Sequence, residues 1–183
     1  MEEDASTVAE YTYNGLGQRV IKAVGDVTSV FHYDLTGKLI AESLANGTIT
    51  AEYLYMGKIR IAKVDVSTGK IYYYLNDRLG TPQLMTDDTG TIVWEATYRP
   101  FGEATVNPKS TVVNNFRFPG QYYDEETGLH YNYFRYYDPR TGRYFRADPI
   151  GLRGSINLYT YAHSNPVNLV DPTGEHVPIG YLL

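Results

Sequence analysis

The sequence predicts an all-β chain laid out as a strip of antiparallel hairpins, and three observations carry that expectation. Thr-Gly recurs at 36–37, 68–69, 89–90, 127–128, 141–142 and 173–174, each time two to four residues after an aspartate. An Asp side chain accepts loop N–H groups and Gly takes the positive φ that closes a short loop, so all six sites read as hairpin turns. Tyr13, Tyr33 and Tyr53 stand 20 residues apart. They lie in the aromatic triplets Tyr11-Thr12-Tyr13, Phe31-His32-Tyr33 and Tyr53-Leu54-Tyr55, whose spacing puts two rings on one face of a strand. Finally, no window of eleven or more residues holds a convincing helical period.

The elements follow in order. Tyr13-Asn14-Gly15-Leu16-Gly17 and Tyr33-Asp34-Leu35-Thr36-Gly37 are two copies of one strand end and turn, and a third copy is degenerate, with Met56-Gly57 in place of Asp-x-x-Gly. Asn46-Gly47-Thr48 satisfies a glycosylation sequon, but Asn-Gly between strands reads first as a hairpin turn. Lys70 to Leu75 and Thr91 to Ala96 alternate β-branched and aromatic residues, as half-buried strands do. Composition shifts after Arg99-Pro100-Phe101-Gly102, to a polar loop at 107–115 and then a Tyr/Arg/Asp-Pro region reaching Gly174. The modest helix candidate lies at 156–162. The expected organisation is a β-strip over 1–103, a cap region over 104–175 and a short apolar tail over 176–183.

The 183 residues are one domain's worth of chain, with 43% apolar residues and 19 tyrosines able to build a core. A formal charge of −5 argues against a dedicated nucleic-acid binder. With no cysteine, disulfides, thiolate metal sites and cysteine nucleophiles are excluded. The acidic start, Met1-Glu2-Glu3-Asp4, is unlike a signal peptide, and no stretch approaches the roughly 18–20 apolar residues of a membrane span. His32, His130, His163 and His176 lack metal-ligand spacing, and phosphate-binding and Gly-x-Ser-x-Gly motifs are missing, so no metal or cofactor is expected.

Longer motifs resemble a known family. Asn76-Asp77-Arg78-Leu79-Gly80-Thr81-Pro82, Tyr98-Arg99-Pro100-Phe101-Gly102-Glu103 and the run from Arg117-Phe118-Pro119-Gly120-Gln121-Tyr122-Tyr123-Asp124 to Tyr131-Asn132 are similar to RHS/YD-repeat proteins. Arg135-Tyr136-Tyr137-Asp138-Pro139, Asp148-Pro149-Ile150-Gly151-Leu152 and Asp171-Pro172-Thr173-Gly174 resemble the RHS repeat-associated core that closes such arrays. The resemblance covers about residues 11–175. It implies a β-strip curling into a partial hollow shell with the core as its cap. It also implies a place in bacterial competition, insecticidal complexes or cell-surface contact, and a secreted or cell-surface location.

The resemblance further implies a self-cleaving site. Two carboxylates sharing one proton can activate water on a peptide bond. Carried over by motif, Asp148 and Asp171 are the candidate pair and Arg135 sets their charge or holds the scissile carbonyl. The family pattern ends Asp-Pro-x-Gly-Leu and is cut after leucine, whereas here Glu175 stands at that position, adding a like charge beside the pair. The competing reading is that the three Asp-Pro aspartates, Asp138, Asp148 and Asp171, cap turns and Arg135 pairs with one of them.

Three functional expectations remain open. A strip of two or three repeats has two open edges, which favours a structural and interaction protein that assembles with itself or with a larger β-shell. A core that cleaves its own C-terminus after Glu175 is the enzymatic alternative. An adhesin binding carbohydrate or a surface through its tyrosine rows is the third, although such rows more often form the packed inner face of a sheet. Strip, cap and tail leave no room for a toxin domain in these residues.

Overall fold

One small device sets the alternation of strand and loop. At Asp34 a carboxylate oxygen, Oδ1, accepts the backbone N–H groups of Thr36 at 2.8 Å and Lys38 at 2.9 Å. Asn14 does the same for Leu16 and Gln18, Asp77 for Leu79 and Thr81, and Asp87 for Thr89 and Thr91. The side chain thereby takes the loop donors that a hairpin end leaves without a ladder partner.

A computed structural model describes residues 7–175, so the acidic start, the apolar tail and His176 lie outside the described residues. Ten strands pair antiparallel in sequence order: β1 (Glu10–Tyr13), β2 (Arg19–Val24), β3 (Val27–Tyr33), β4 (Leu39–Leu44), β5 (Ile49–Met56), β6 (Ile59–Asp65), β7 (Lys70–Asn76), β8 (Pro82–Thr86), β9 (Ile92–Tyr98) and β10 (Ala104–Val106). A second sheet follows, β11 (Tyr122–Asp124), β12 (Leu129–Asn132), β13 (Arg135–Asp138) and β14 (Arg143–Tyr144). Five of the six Thr-Gly pairs close hairpins, as does Asn46-Gly47. The exception is Thr173-Gly174, which joins no strands: the Asp171 carboxylate draws it inward, accepting the Gly174 N–H at 2.9 Å. Asp124 also departs from the expected turn role. Its loop is closed by its backbone carbonyl, and its carboxylate points into the protein.

The tyrosine period has a structural cause. The β1–β2, β3–β4, β5–β6 and β7–β8 pairings each slip register at the loop end, where Tyr13, Tyr33, Tyr55 and Asn76 oppose Arg19, Leu39, Arg60 and Pro82. Such a bulge disrupts the ladder locally. In each case the carbonyl opposite the bulge is capped from the next repeat. Tyr33 Oη donates to Arg19 O, Tyr55 to Leu39 O and Tyr98 to Pro82 O, all at 2.9 Å, and Asn76 Nδ2 donates to Arg60 O at 2.8 Å.

The inner face of the strip carries Phe31, Tyr53, Tyr72, Tyr74, Met85 and Trp94, all buried. They join one apolar cluster with Phe116, Tyr122 and Tyr131 from beyond the strip, so Tyr53, Tyr72 and Tyr74 are core while Tyr13 and Tyr73 stay exposed. Tyr53 meets Phe116 edge-on at 4.8 Å, a geometry worth about 0.5–1.5 kcal/mol beyond area burial. A fully buried guanidinium, Arg19, ties the first strands to the second sheet. It pairs with the Asp124 carboxylate and lies 4.4–5.5 Å from the ring centres of Tyr11, Phe31, Tyr122 and Tyr131. Lys22 reaches the same carboxylate at 3.0 Å.

The helix expected over 156–162 does not form. Only single 3-10 turns at Gly151–Arg153 and Ala162–Ser164 border the stretch. Its backbone groups are engaged elsewhere. Tyr159 O accepts the Tyr144 N–H at 2.9 Å, Thr160 bridges to Arg143, and the Asn157 side chain takes the Tyr159 N–H. So short a segment could not offset the cost of nucleating a helix against those bonds.

Candidate functional site

Arg135 opens β13 with its side chain almost wholly buried, and the closing segment of the chain folds around it. Asp148 caps its own Asp-Pro turn with Oδ1, which accepts the Ile150 N–H at 3.0 Å, leaving Oδ2 to meet Arg135 at 2.9 Å. Asp171 divides its oxygens in the same way. Its Oδ1 accepts the N–H groups of Gly174 at 2.9 Å and Glu175 at 3.2 Å, while Oδ2 faces Arg135 at 3.3 Å and accepts the Tyr144 hydroxyl at 2.8 Å. Arg135 donates through Nε to Gly174 O and through its first terminal nitrogen to Leu158 O. Turn capping and convergence therefore coexist, each aspartate giving one oxygen to its turn and one to the arginine.

Asp138, the third Asp-Pro aspartate, is elsewhere and pairs with exposed Arg140 at 3.0 Å.

Two carboxylates around one guanidinium leave one negative charge unbalanced, the condition under which a pair retains a proton. Burial pushes the Asp171 carboxyl above its ordinary range, although the Tyr144 hydroxyl, Arg135 and two backbone N–H groups favour its charged form. Beside the pair is a niche of about 10 Å³, roughly the space one water molecule needs, bounded by Asp148, Asp171, Gly154, His163 and Glu175. Gly154 keeps it open, because a Cβ there would stand 2.7 Å from Asp148 Oδ2 and 3.1 Å from the Glu175 carbonyl oxygen. That carboxylate oxygen and that carbonyl thus both face Gly154. Gly174, at φ +76°, turns the chain where a side chain would strike Asn132 O at 2.6 Å.

Several partners escaped the sequence reading. Tyr144 and Asn132 hold the Asp171 side, Asn132 Nδ2 donating to Tyr144 Oη at 2.7 Å and to Asp171 O at 2.9 Å. Asn132 ends a motif that carries the family resemblance and Tyr144 follows another by five residues, but spacing alone gives no reason to join them. Ala162, His163 and Ser164 run consecutively at φ 46°, 52° and 60°, a strained left-handed stretch that borders the niche and has no sequence signal. Among the described residues no cluster of three or more His, Asp or Glu is placed to hold a metal ion, and no helix is long and apolar enough to cross a membrane.

Comparison with known proteins places these features. Residues 71–107 match the RHS protein family. The chain is 41% identical over 131 residues to the double-stranded DNA deaminase toxin A of Burkholderia cenocepacia, an alignment covering 69% of this chain and 9% of that protein. It is 36% identical over 176 residues to the tRNA(Glu)-specific nuclease WapA of Bacillus subtilis subsp. natto, covering 92% of this chain and 8% of that one. The chain belongs to the RHS family. The fold of this RHS segment recurs in the TccC3-containing Tc holotoxin pore of Photorhabdus luminescens, with a TM-score of 0.70 at 23% identity over 94% of this chain and 9% of that one. The RHS segment spans less than a tenth of the length of each of these relatives. Its matched stretch runs from β7 to just past β10, the C-terminal end of the strip.

Proposed function

We propose that this RHS segment is the closing wall of a toxin-associated β-shell and that the cluster around Arg135 cuts the backbone after Glu175. Its relatives include proteins named for toxin activities, which supports a scaffold role for this segment in a protein of that kind. Among the described residues β1 pairs on one side only, so further strands of a larger shell would join there. The observation that carries the cleavage reading is that Asp148 Oδ2 and the Glu175 carbonyl both face Gly154, with Asp171 accepting the Glu175 N–H and a niche of one water's volume beside them.

The chemistry balances without a cofactor. One carboxylate takes a proton from water as its oxygen adds to the Glu175 carbonyl carbon, and the protonated partner gives its proton to the departing amide nitrogen. The C–N bond then breaks, leaving a new carboxylate at Glu175 and a free amine. Arg135, bonded to Gly174 O, holds the strand in place one residue before the bond. Burial, which raises the Asp171 carboxyl, favours Asp171 as the proton donor, with Asp148 as the base.

Intact mass spectrometry tests the proposal. Purified protein should accumulate a species ending at Glu175, absent in D148N and D171N variants that remain folded by circular dichroism. Glu175→Leu, which removes the like charge beside the pair, should speed its appearance roughly 10-fold or more. An uncut E175L protein with an intact fold would leave the cluster as a structural clasp.

A further inference from the structure

Among the described residues three arginines are buried, and two of them face carboxylates: Arg19 has Asp124, and Arg135 has Asp148 and Asp171. Arg117 has none. It is 5% exposed and gives one terminal nitrogen to the carbonyls of Asn114 and Phe116, both at 2.9 Å, while its guanidinium lies 4.6 Å from the centre of the Tyr123 ring. Burial lowers its affinity for the proton, and only the neighbouring tyrosines Tyr98, Tyr123 and Tyr122, with no carboxylate among them, oppose that effect. A buried cation without a counter-charge is costly, so the site gains whenever an anion arrives.

Arg117 lines a cavity of about 370 Å³, walled also by Glu103, Tyr123, His130, Arg140 and β10. The other wall charges are already matched: Glu103 pairs with Arg99 and Arg140 with Asp138. His130 is held neutral, its pKa driven down to about 3 by burial and then by Arg117 itself. One unit of positive charge is left over, which suits a carboxylate better than a dianionic phosphate. The planar fork of a guanidinium also matches two carboxylate oxygens.

The cavity opens along a strand edge. Glu103 O accepts the Arg99 N–H and the Asn107 N–H donates to Glu95 O, so these alternate residues of the β10 run face β9. By the alternation of an antiparallel ladder, the backbone groups of Ala104 and Val106 point off the edge. Both residues line the cavity. We propose that this cavity docks an extended peptide segment carrying one carboxylate, its backbone adding beside β10 and its carboxylate closing on Arg117.

Fluorescence anisotropy tests this on the whole protein, with a labelled, blocked pentapeptide of alternating threonine and valine around a central glutamate. The peptide should bind saturably, and its glutamine counterpart at least 10-fold more weakly. Arg117→Met should bind both peptides alike and weakly. Ala104→Pro, which removes an edge N–H without touching the arginine, should also weaken the glutamate peptide and keeps the test intact should R117M not fold. Equal binding of the glutamate and glutamine peptides to the parent protein would overturn the proposal. So would full displacement of the peptide by millimolar inorganic phosphate, which would mark a small-anion site instead.

Discussion

Removing the Asp124 carboxylate should do more damage than removing the whole ion pair it belongs to. Its side chain is fully enclosed, and it serves both Arg19 and Lys22. Two nitrogens of Arg19, Nε and one terminal nitrogen, already lack hydrogen-bond acceptors and face aromatic rings instead. In Asp124→Ala the guanidinium keeps those rings and loses its only carboxylate. Each ring contact contributes about 0.5–2 kcal/mol and cannot replace a desolvated counter-ion. Breaking a buried pair on one side costs about 3–5 kcal/mol, out of a total stability of about 5–15 kcal/mol for a domain. With a urea m-value of about 1–3 kcal/mol/M, the unfolding midpoint should fall by roughly 1–3 M. The double variant Arg19→Met, Asp124→Leu removes both charges and should recover most of that loss. A midpoint for Asp124→Ala within about 0.3 M of the parent, or a double variant less stable than the single one, would refute the reasoning.

Three further outcomes are expected. Gly120→Ala, at φ +84°, drives a Cβ into the Pro172 backbone, 2.6 Å from its carbonyl carbon, and should lower stability by about 2–4 kcal/mol in urea titration. Tyr98→Phe deletes the hydroxyl that caps Pro82 O and should cost about 1–2 kcal/mol, with local loss of hydrogen-exchange protection at the β8–β9 hairpin. His130 is neutral when folded, with a pKa near 3, and titrates near 6.5 when unfolded, so the unfolded chain binds the extra proton between those values. Its contribution is therefore complete above pH 6.5 and lost as pH falls toward 3; between pH 7 and 5 the parent should lose about 2 kcal/mol more than His130→Gln.

Hairpins were legible in the sequence because Asp34, Asp77 and Asp87 act through their nearest backbone neighbours, a range over which spacing is informative. The meeting of Arg135, Asp148 and Asp171 was legible only through the long motifs that carry the family resemblance. No local rule brings together residues 13 and 23 positions apart. Where local and tertiary demands compete, the local reading fails. Asp124 precedes a Thr-Gly like the other turn aspartates, yet a buried arginine 105 residues away claims its carboxylate. The stretch 156–162 offers modest helical spacing, but β14 and Asn157 engage its backbone first. Arg117 opens one of the long motifs, but nothing there marks it as lacking a counter-charge, because the absence of a partner is a property of the folded surroundings.

The capped bulges give the strip a direction. Each of the hairpins β1–β2, β3–β4, β5–β6 and β7–β8 leaves a carbonyl that the following strand caps, so a chain emerging N-terminus first would hold every repeat slightly unfinished until its successor arrives. Folding would then advance like a zip whose teeth each lock the pair behind, and fraying would begin at the newest strand. The β9–β10 hairpin breaks the rule: Tyr98, Thr97 and Ala96 face Ala104, Thr105 and Val106 in unbroken register. With no bulge to cap, it asks nothing of a following strand, and the zip has its stop where the chain leaves the strip for the second sheet.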